Sequence, residues 1–95
     1  MTVRFTDHAE RELEEIGDFI ARDDPWAAGG FVAELRAKCL DLGDFPRRFP
    51  IVRQAWGTGI RRRIHKRYVI LYRIDDDAVV ILHIVHSARD YGDLL

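Results

Sequence analysis

The chain has 95 residues, 47% of them apolar and 33% charged, and a formal net charge of −1. These totals describe one soluble globular domain over residues 1–95. Its apolar runs fall far short of the roughly 20 residues a membrane helix needs, and MTVRFTDHAERELEE holds no apolar signal region. A lone cysteine, Cys39, excludes an internal disulfide and suits a reducing cytoplasm; its apolar neighbours predict a packed thiol.

Thr2 to Thr6 alternates polar and apolar residues, the pattern of a short half-buried strand. Thr6 or Asp7 is positioned to cap a helix, and Glu10 follows Asp7 by three residues, as in a capping box. Ala9, Leu13, Ile16 and Ile20 then recur at helical spacing, with Phe19 widening the stripe and Glu10, Glu12, Glu14, Glu15 and Asp18 on the other faces. This predicts a helix over about 8–22. Asp24-Pro25 pairs an N-cap with a first helical proline, so a second helix begins there and runs to Gly43, a plausible C-cap before Pro46 and Pro50. Gly29-Gly30 weakens that helix unless it lets the two helices approach closely. Two helices joined by so few residues lie antiparallel.

Residues 45–58 read as an irregular connector, followed by strands over 59–66, 67–74 and 78–86, with Asp75-Asp76-Asp77 turning between the last two. The tail 87–95 reads as a final turn, a short helix or a mobile end. The order is β-α-α-β-β-β: an α+β fold with a helical hairpin packed on one face of an antiparallel sheet. Along 67–74, alternation puts Tyr68, Ile70, Tyr72 and Ile74 on the helix side and Arg67, Val69, Leu71 and Arg73 on the other. Along 78–86 it groups His83 with Val79, Ile81 and Val85, and His86 with Val80, Leu82 and Ile84. The two histidines then face opposite ways, which argues against a shared metal site.

Charge is strongly divided. Residues 1–45 carry 5 Lys/Arg against 11 Asp/Glu, whereas 46–73 hold 9 basic residues and no acid. Such asymmetry predicts a basic sheet face left open for an anionic partner. The candidate contacts are Arg47, Arg48, Arg53, Trp56, Arg61, Arg63, Lys66, Arg67 and Arg73, with His86, Arg89 and Asp90 after the last strand. Arg89 and Asp90 read equally as a local ion pair. Trp26 and Trp56 are expected to pack as core or cap residues, with Trp56 beside Arg53 also placed to stack on a base or a partner side chain.

In order and spacing, several segments resemble the RelE/ParE superfamily of bacterial toxins from type II toxin–antitoxin systems. They are the helix with Leu13, Ile16 and Ile20, the Asp24-Pro25-Trp26-Ala27-Ala28 junction, Leu42…Phe45-Pro46, Gly59-Ile60-Arg61, the Tyr68–Ile74 strand and the closing Ile84-Val85-His86-Ser87-Ala88-Arg89-Asp90. The closing His-x-x-Arg-Asp looks closer to ParE. The resemblance implies a plasmid-stabilisation type of toxin, cytoplasmic, without metal or cofactor, held in a hetero-oligomer by a cognate antitoxin. ParE toxins inhibit DNA gyrase, whereas RelE toxins are endonucleases that cut messenger RNA on the ribosome. The nuclease alternative would rest on Arg61, Arg67, His86, Arg89 and Tyr91. RelE-type lysines are replaced here by arginines, which are poor proton acceptors at neutral pH. A non-toxic binding module of the same fold is a further alternative.

Overall fold

The computed structural model describes residues 1–95. Strand β1 (Thr2–Phe5) leads into α1 (Asp7–Ala21) and α2 (Pro25–Leu40). Short 3-10 turns at Asp41–Gly43, Pro46–Arg48 and Arg53–Ala55 carry the connector to β2 (Arg61–His65), β3 (Tyr68–Asp75) and β4 (Ala78–His86), and a last 3-10 turn spans Tyr91–Leu94. The sheet order is β1-β4-β3-β2. β2, β3 and β4 form the expected antiparallel ladder, while β1 adds to β4 in parallel, with Thr2 opposite Ala78 and Phe5 opposite Ile81, so the sheet is mixed. A parallel pair needs a long crossover, and here the helical hairpin lies within it.

Thr6 is the N-cap of α1. Its Oγ1 accepts from Ala9 N at 3.1 Å and donates to Leu82 O at 3.1 Å, fixing the helix start to β4. Glu10 does not complete a capping box; it takes a bidentate pair from Arg36 of α2, both bonds 2.8 Å, which holds its carboxyl below the usual range. Asp24 caps α2 through Ala27 N at 3.1 Å, with Pro25 first in the helix.

The glycines act differently from the sequence expectation. A Cβ at Gly29 or Gly30 would meet nothing within 4 Å, so neither admits a close helix approach; Gly17 does, where a Cβ would lie 3.0 Å from Val32 Cγ2. Gly43 is not a left-handed cap. It gives room to Met1, whose ammonium donates to Gly43 O at 2.9 Å and whose carbonyl oxygen would sit 2.5 Å from an added Cβ. The left-handed residue at this helix exit is Phe45, with φ 54°.

The main core lies between the helices and the sheet, joining Ala9, Leu13 and Ile16 of α1, Leu35 and Cys39 of α2, and Ile70, Tyr72, Val79, Ile81 and Ile84 of the sheet. Each fully buried Leu or Ile contributes roughly 1.5–3 kcal/mol. Tyr68 and Ile74 pack at its margin, so the predicted alternation of β3 holds. On β4 it does not. Leu71 pairs with His83 and Tyr72 with Ile81, leaving Leu82 as an extra residue in a bulge. The bulge resets the alternation, placing Ile84 in the helix-side core with Val79 and Ile81, and sending Val85 to the other face. Cys39 is buried, and burial pushes its thiol up to about 12, so it is the packed, unreactive thiol expected.

Candidate functional site

The sheet face away from the helices is not the open basic surface the sequence predicts. Val69, Leu71 and Val85 project there and are covered by Val52, Ala55 and Ile60 of the connector, with Leu82, Tyr91, Leu94 and Leu95 closing the cluster. Two segments far apart in the chain, the connector and the tail, supply the cover, and neither shows strand or helix periodicity in the sequence. The tail is therefore a docked turn. Asp90 accepts from Gly92 N at 3.0 Å, capping this turn rather than pairing with Arg89.

The nine cations of residues 46–73 disperse, and several meet carboxylates of the chain itself. Asp41, at the end of α2, receives Arg63 at 2.8 Å and also Arg48, which together lower its pKa. Glu34 of α2 meets His65 at 2.7 Å and Lys66 at 2.9 Å; these hydrogen bonds, His65 first, hold its carboxyl down at about 2. Arg73 pairs with Asp75. Arg61 Nη1 donates to the carbonyls of Phe49 (2.7 Å) and Arg47 (3.2 Å), and Arg62 reaches Tyr91 Oη at 3.4 Å. Arg48, Arg63 and Lys66 thus form a latch fastening β2 and the connector to the C-terminal half of α2. Arg61 and Arg62 meet no carboxylate, and the side chains of Arg47, Arg53 and Arg67 have no polar partner at all.

The nuclease set is split in the same way. Tyr68 pairs with His86 across the β3–β4 ladder, and Ser87 N donates to Arg67 O at 2.7 Å, so Arg67, His86 and Arg89 gather at one end of the sheet. Arg61 pairs with Tyr72, four residues along from the His65–Tyr68 pair. That places it about 13 Å away at roughly 3.3 Å per strand residue. Tyr91 sits on the other face with Arg62. His86 is itself engaged, its Nδ1 accepting from Ala88 N at 3.0 Å and its ring standing edge-on to Tyr68.

The sheet end instead forms one wall of a groove against α1. A cleft of about 360 Å³ is lined by Glu12, Glu15, Ile16, Phe19, Tyr68, Ile84, Val85, His86 and Arg89. A second depression, lined by Ile20, Ala27, Phe31, Lys66, Arg67 and Tyr68, adjoins it through Tyr68. Helical spacing aligns Glu12, Glu15, Ile16, Phe19 and Ile20 on one stripe of α1. Glu12 is fixed by Ile84 N (3.2 Å) and His83 Nδ1 (3.1 Å). The result is an apolar floor with acids beside Ile16, cations beside Ile20, and Phe19 exposed over it.

Residues 3–91 match the profile described as ParE toxin of type II toxin–antitoxin system, parDE. The chain belongs to the ParE toxin family. It is 33% identical over 102 residues to the Sinorhizobium fredii (strain NBRC 101917 / NGR234) protein named "Putative toxin Y4kP", covering 98% of this chain and 95% of that one. The fold matches a chain of the chromosomal ParDE TA system from P. aeruginosa with a TM-score of 0.79 at 19% identity, over 90% of this chain and 95% of that chain. It also matches a chain of the toxin–antitoxin complex RelBE2 from Mycobacterium tuberculosis with a TM-score of 0.67 at 31% identity, over 93% and 92% of the two chains.

For this ParE-family toxin, the groove residues Phe19, Tyr68 and Ile84 were absent from the sequence-level candidates, which followed charge and included the acidic side of α1 that carries Glu12. The available signal was Phe19, one more apolar residue than the core stripe of α1 needs. Trp26 and Trp56, expected to pack, are 94% and 80% exposed.

Proposed function

We propose that this ParE-family toxin inhibits DNA gyrase and that a cognate antitoxin neutralises it by laying an amphipathic segment in the α1–sheet groove. The groove is the observation that carries the antitoxin half of the proposal. From Glu12 to Ile20, α1 rises about 12 Å, matching two turns of a partner helix. An apolar floor would take the partner's buried stripe. Glu12 and Glu15 favour a partner cation beside Ile16, and Lys66 and Arg67 favour a partner acid beside Ile20. Both solved structures it resembles come from toxin–antitoxin systems, which supports a hetero-oligomer.

The gyrase half rests on the family profile together with the dispersal of the nuclease set. Cleavage through a 2′-hydroxyl needs a base, an acid and cations converging on one phosphate. Arg61 and Tyr91 are both engaged away from the end where Arg67, His86 and Arg89 meet. Inhibition by binding needs no such convergence. The likeness to RelBE2 supports ribosome-dependent cleavage of messenger RNA as the second reading.

The deciding experiment incubates the purified chain with gyrase and relaxed plasmid, and in parallel with programmed ribosomes. Lost supercoiling or accumulated cleaved DNA is the expected result. Cut messenger in the ribosomal A site with gyrase unaffected overturns it. Inactivity in both leaves antitoxin binding as the function.

A further inference from the structure

Phe45 and Trp56 are 79% and 80% exposed, and they stand on the connector between α2 and β2. Phe45 adopts φ 54° and ψ 58°. For a bulky residue immediately before a proline this conformation is strained and persists only when neighbours hold it. They do. Tyr72 Oη, buried beneath, donates to Pro46 O at 2.6 Å, and Arg61 grips the carbonyls of Arg47 and Phe49. The chain thus spends a buried hydroxyl and a guanidinium on a turn whose outcome is an aromatic ring in solvent. Past Trp56, Gly57 and Gly59 at φ 93° and 77° close the following turn.

Phe45 has cationic company, and Arg53 stands three residues before Trp56 in the same connector. The shallow depression beside Phe45 is lined by Pro46, Arg47 and Arg48, with no further apolar side chain. Arg47 and Arg53 have no carboxylate partner, while Arg48 is shared with Asp41. A protein hot spot seats its aromatic in a packed apolar surround that excludes water. Isolated rings interleaved with free guanidinium groups match the other common use of such residues, stacking on unpaired bases while cations hold the phosphates.

We propose that the connector binds single-stranded nucleic acid, with bases stacking on Phe45 and Trp56 and phosphates meeting Arg47 and Arg53. This is a property of the chain itself and does not depend on gyrase as target. The surface is also separate in composition from the α1–sheet groove, sharing no residue with it.

The test is fluorescence anisotropy of the full chain with a labelled oligothymidylate of about 16 nucleotides, beside a duplex of equal length, at about 50 mM salt. The single strand is expected to bind more tightly. Phe45→Ala and Trp56→Ala each weaken it about tenfold, within the range for base-stacking aromatics. Arg47→Gln and Arg53→Gln each reduce the salt slope by about 0.7. Trp26→Ala, at an exposed tryptophan on α2, leaves binding unchanged. Phe45→Gly separates folding from function: it relieves the left-handed strain and raises the melting temperature, yet loses binding like Phe45→Ala. Absence of binding, equal affinity for duplex, or indifference to Phe45→Ala and Trp56→Ala overturns the proposal. So does a polyglutamate peptide competing as well as the oligonucleotide, which would assign the surface to an acidic protein.

Discussion

Gly17 of α1 faces Val32 of α2 so closely that an added methyl group would lie 3.0 Å from Val32 Cγ2. Valine in a helix is held to one rotamer, so it yields little. Gly17→Ala therefore meets a steric cost that exceeds the roughly 1 kcal/mol alanine usually gains in a helix. Gly29 and Gly30 have no such neighbour. Gly29→Ala and Gly30→Ala are expected to raise stability by about 0.5–1 kcal/mol each, while Gly17→Ala lowers it. Urea melts check this, and in a Val32→Ala background Gly17→Ala should become stabilising.

Tyr72 buries its hydroxyl against Pro46 O, and burial raises its pKa. Tyr72→Phe leaves that carbonyl without its partner, a loss of about 1–3 kcal/mol. Equilibrium unfolding measures it. An unchanged midpoint would mean that the Pro46 turn is held by Arg61 alone.

The latch between α2 and β2 predicts acid sensitivity. Glu34 titrates at about 2 when folded against an ordinary value of 4.5, because His65 and Lys66 bond its ionised form. A depressed carboxyl contributes stability that is complete above the unfolded value and is lost as pH falls toward the folded one. The window is thus about pH 4.5 down to 2, with Asp41 and Glu10 shifted in the same direction. Thermal melts between pH 5 and 3 should fall more steeply for the native chain than for Glu34→Gln, since the substituted side chain no longer titrates.

Phe19 overhangs the α1–sheet groove and is exposed. Phe19→Glu places a charge on the apolar floor, so antitoxin affinity is expected to drop at least tenfold while melting temperature stays within a few degrees. Co-expression with the antitoxin gives the cellular readout: the variant should remain toxic where the native chain is silenced. Retained neutralisation would move the antitoxin elsewhere.

The element order, the cap at Asp24, the alternation of β3 and the family were all legible in the residues, because each is written in spacings of a few positions; the first cap was legible only as Thr6 or Asp7. Periodicity reports which faces bury, and it does so locally. The bulge at Leu82 was not legible, since one extra residue in a continuous apolar run leaves the run looking unbroken. Nor were the partners of the arginines. The carboxylates that neutralise Arg48, Arg63 and Lys66 stand on α2 at Glu34 and on its C-cap at Asp41, and are brought there only when the hairpin folds back over the sheet. Charge counted along a chain is one-dimensional, while ion pairing and surface cover depend on distances across it. The tertiary structure alone therefore decided that the far sheet face is closed by the connector and the tail, and that the accessible apolar groove lies along α1.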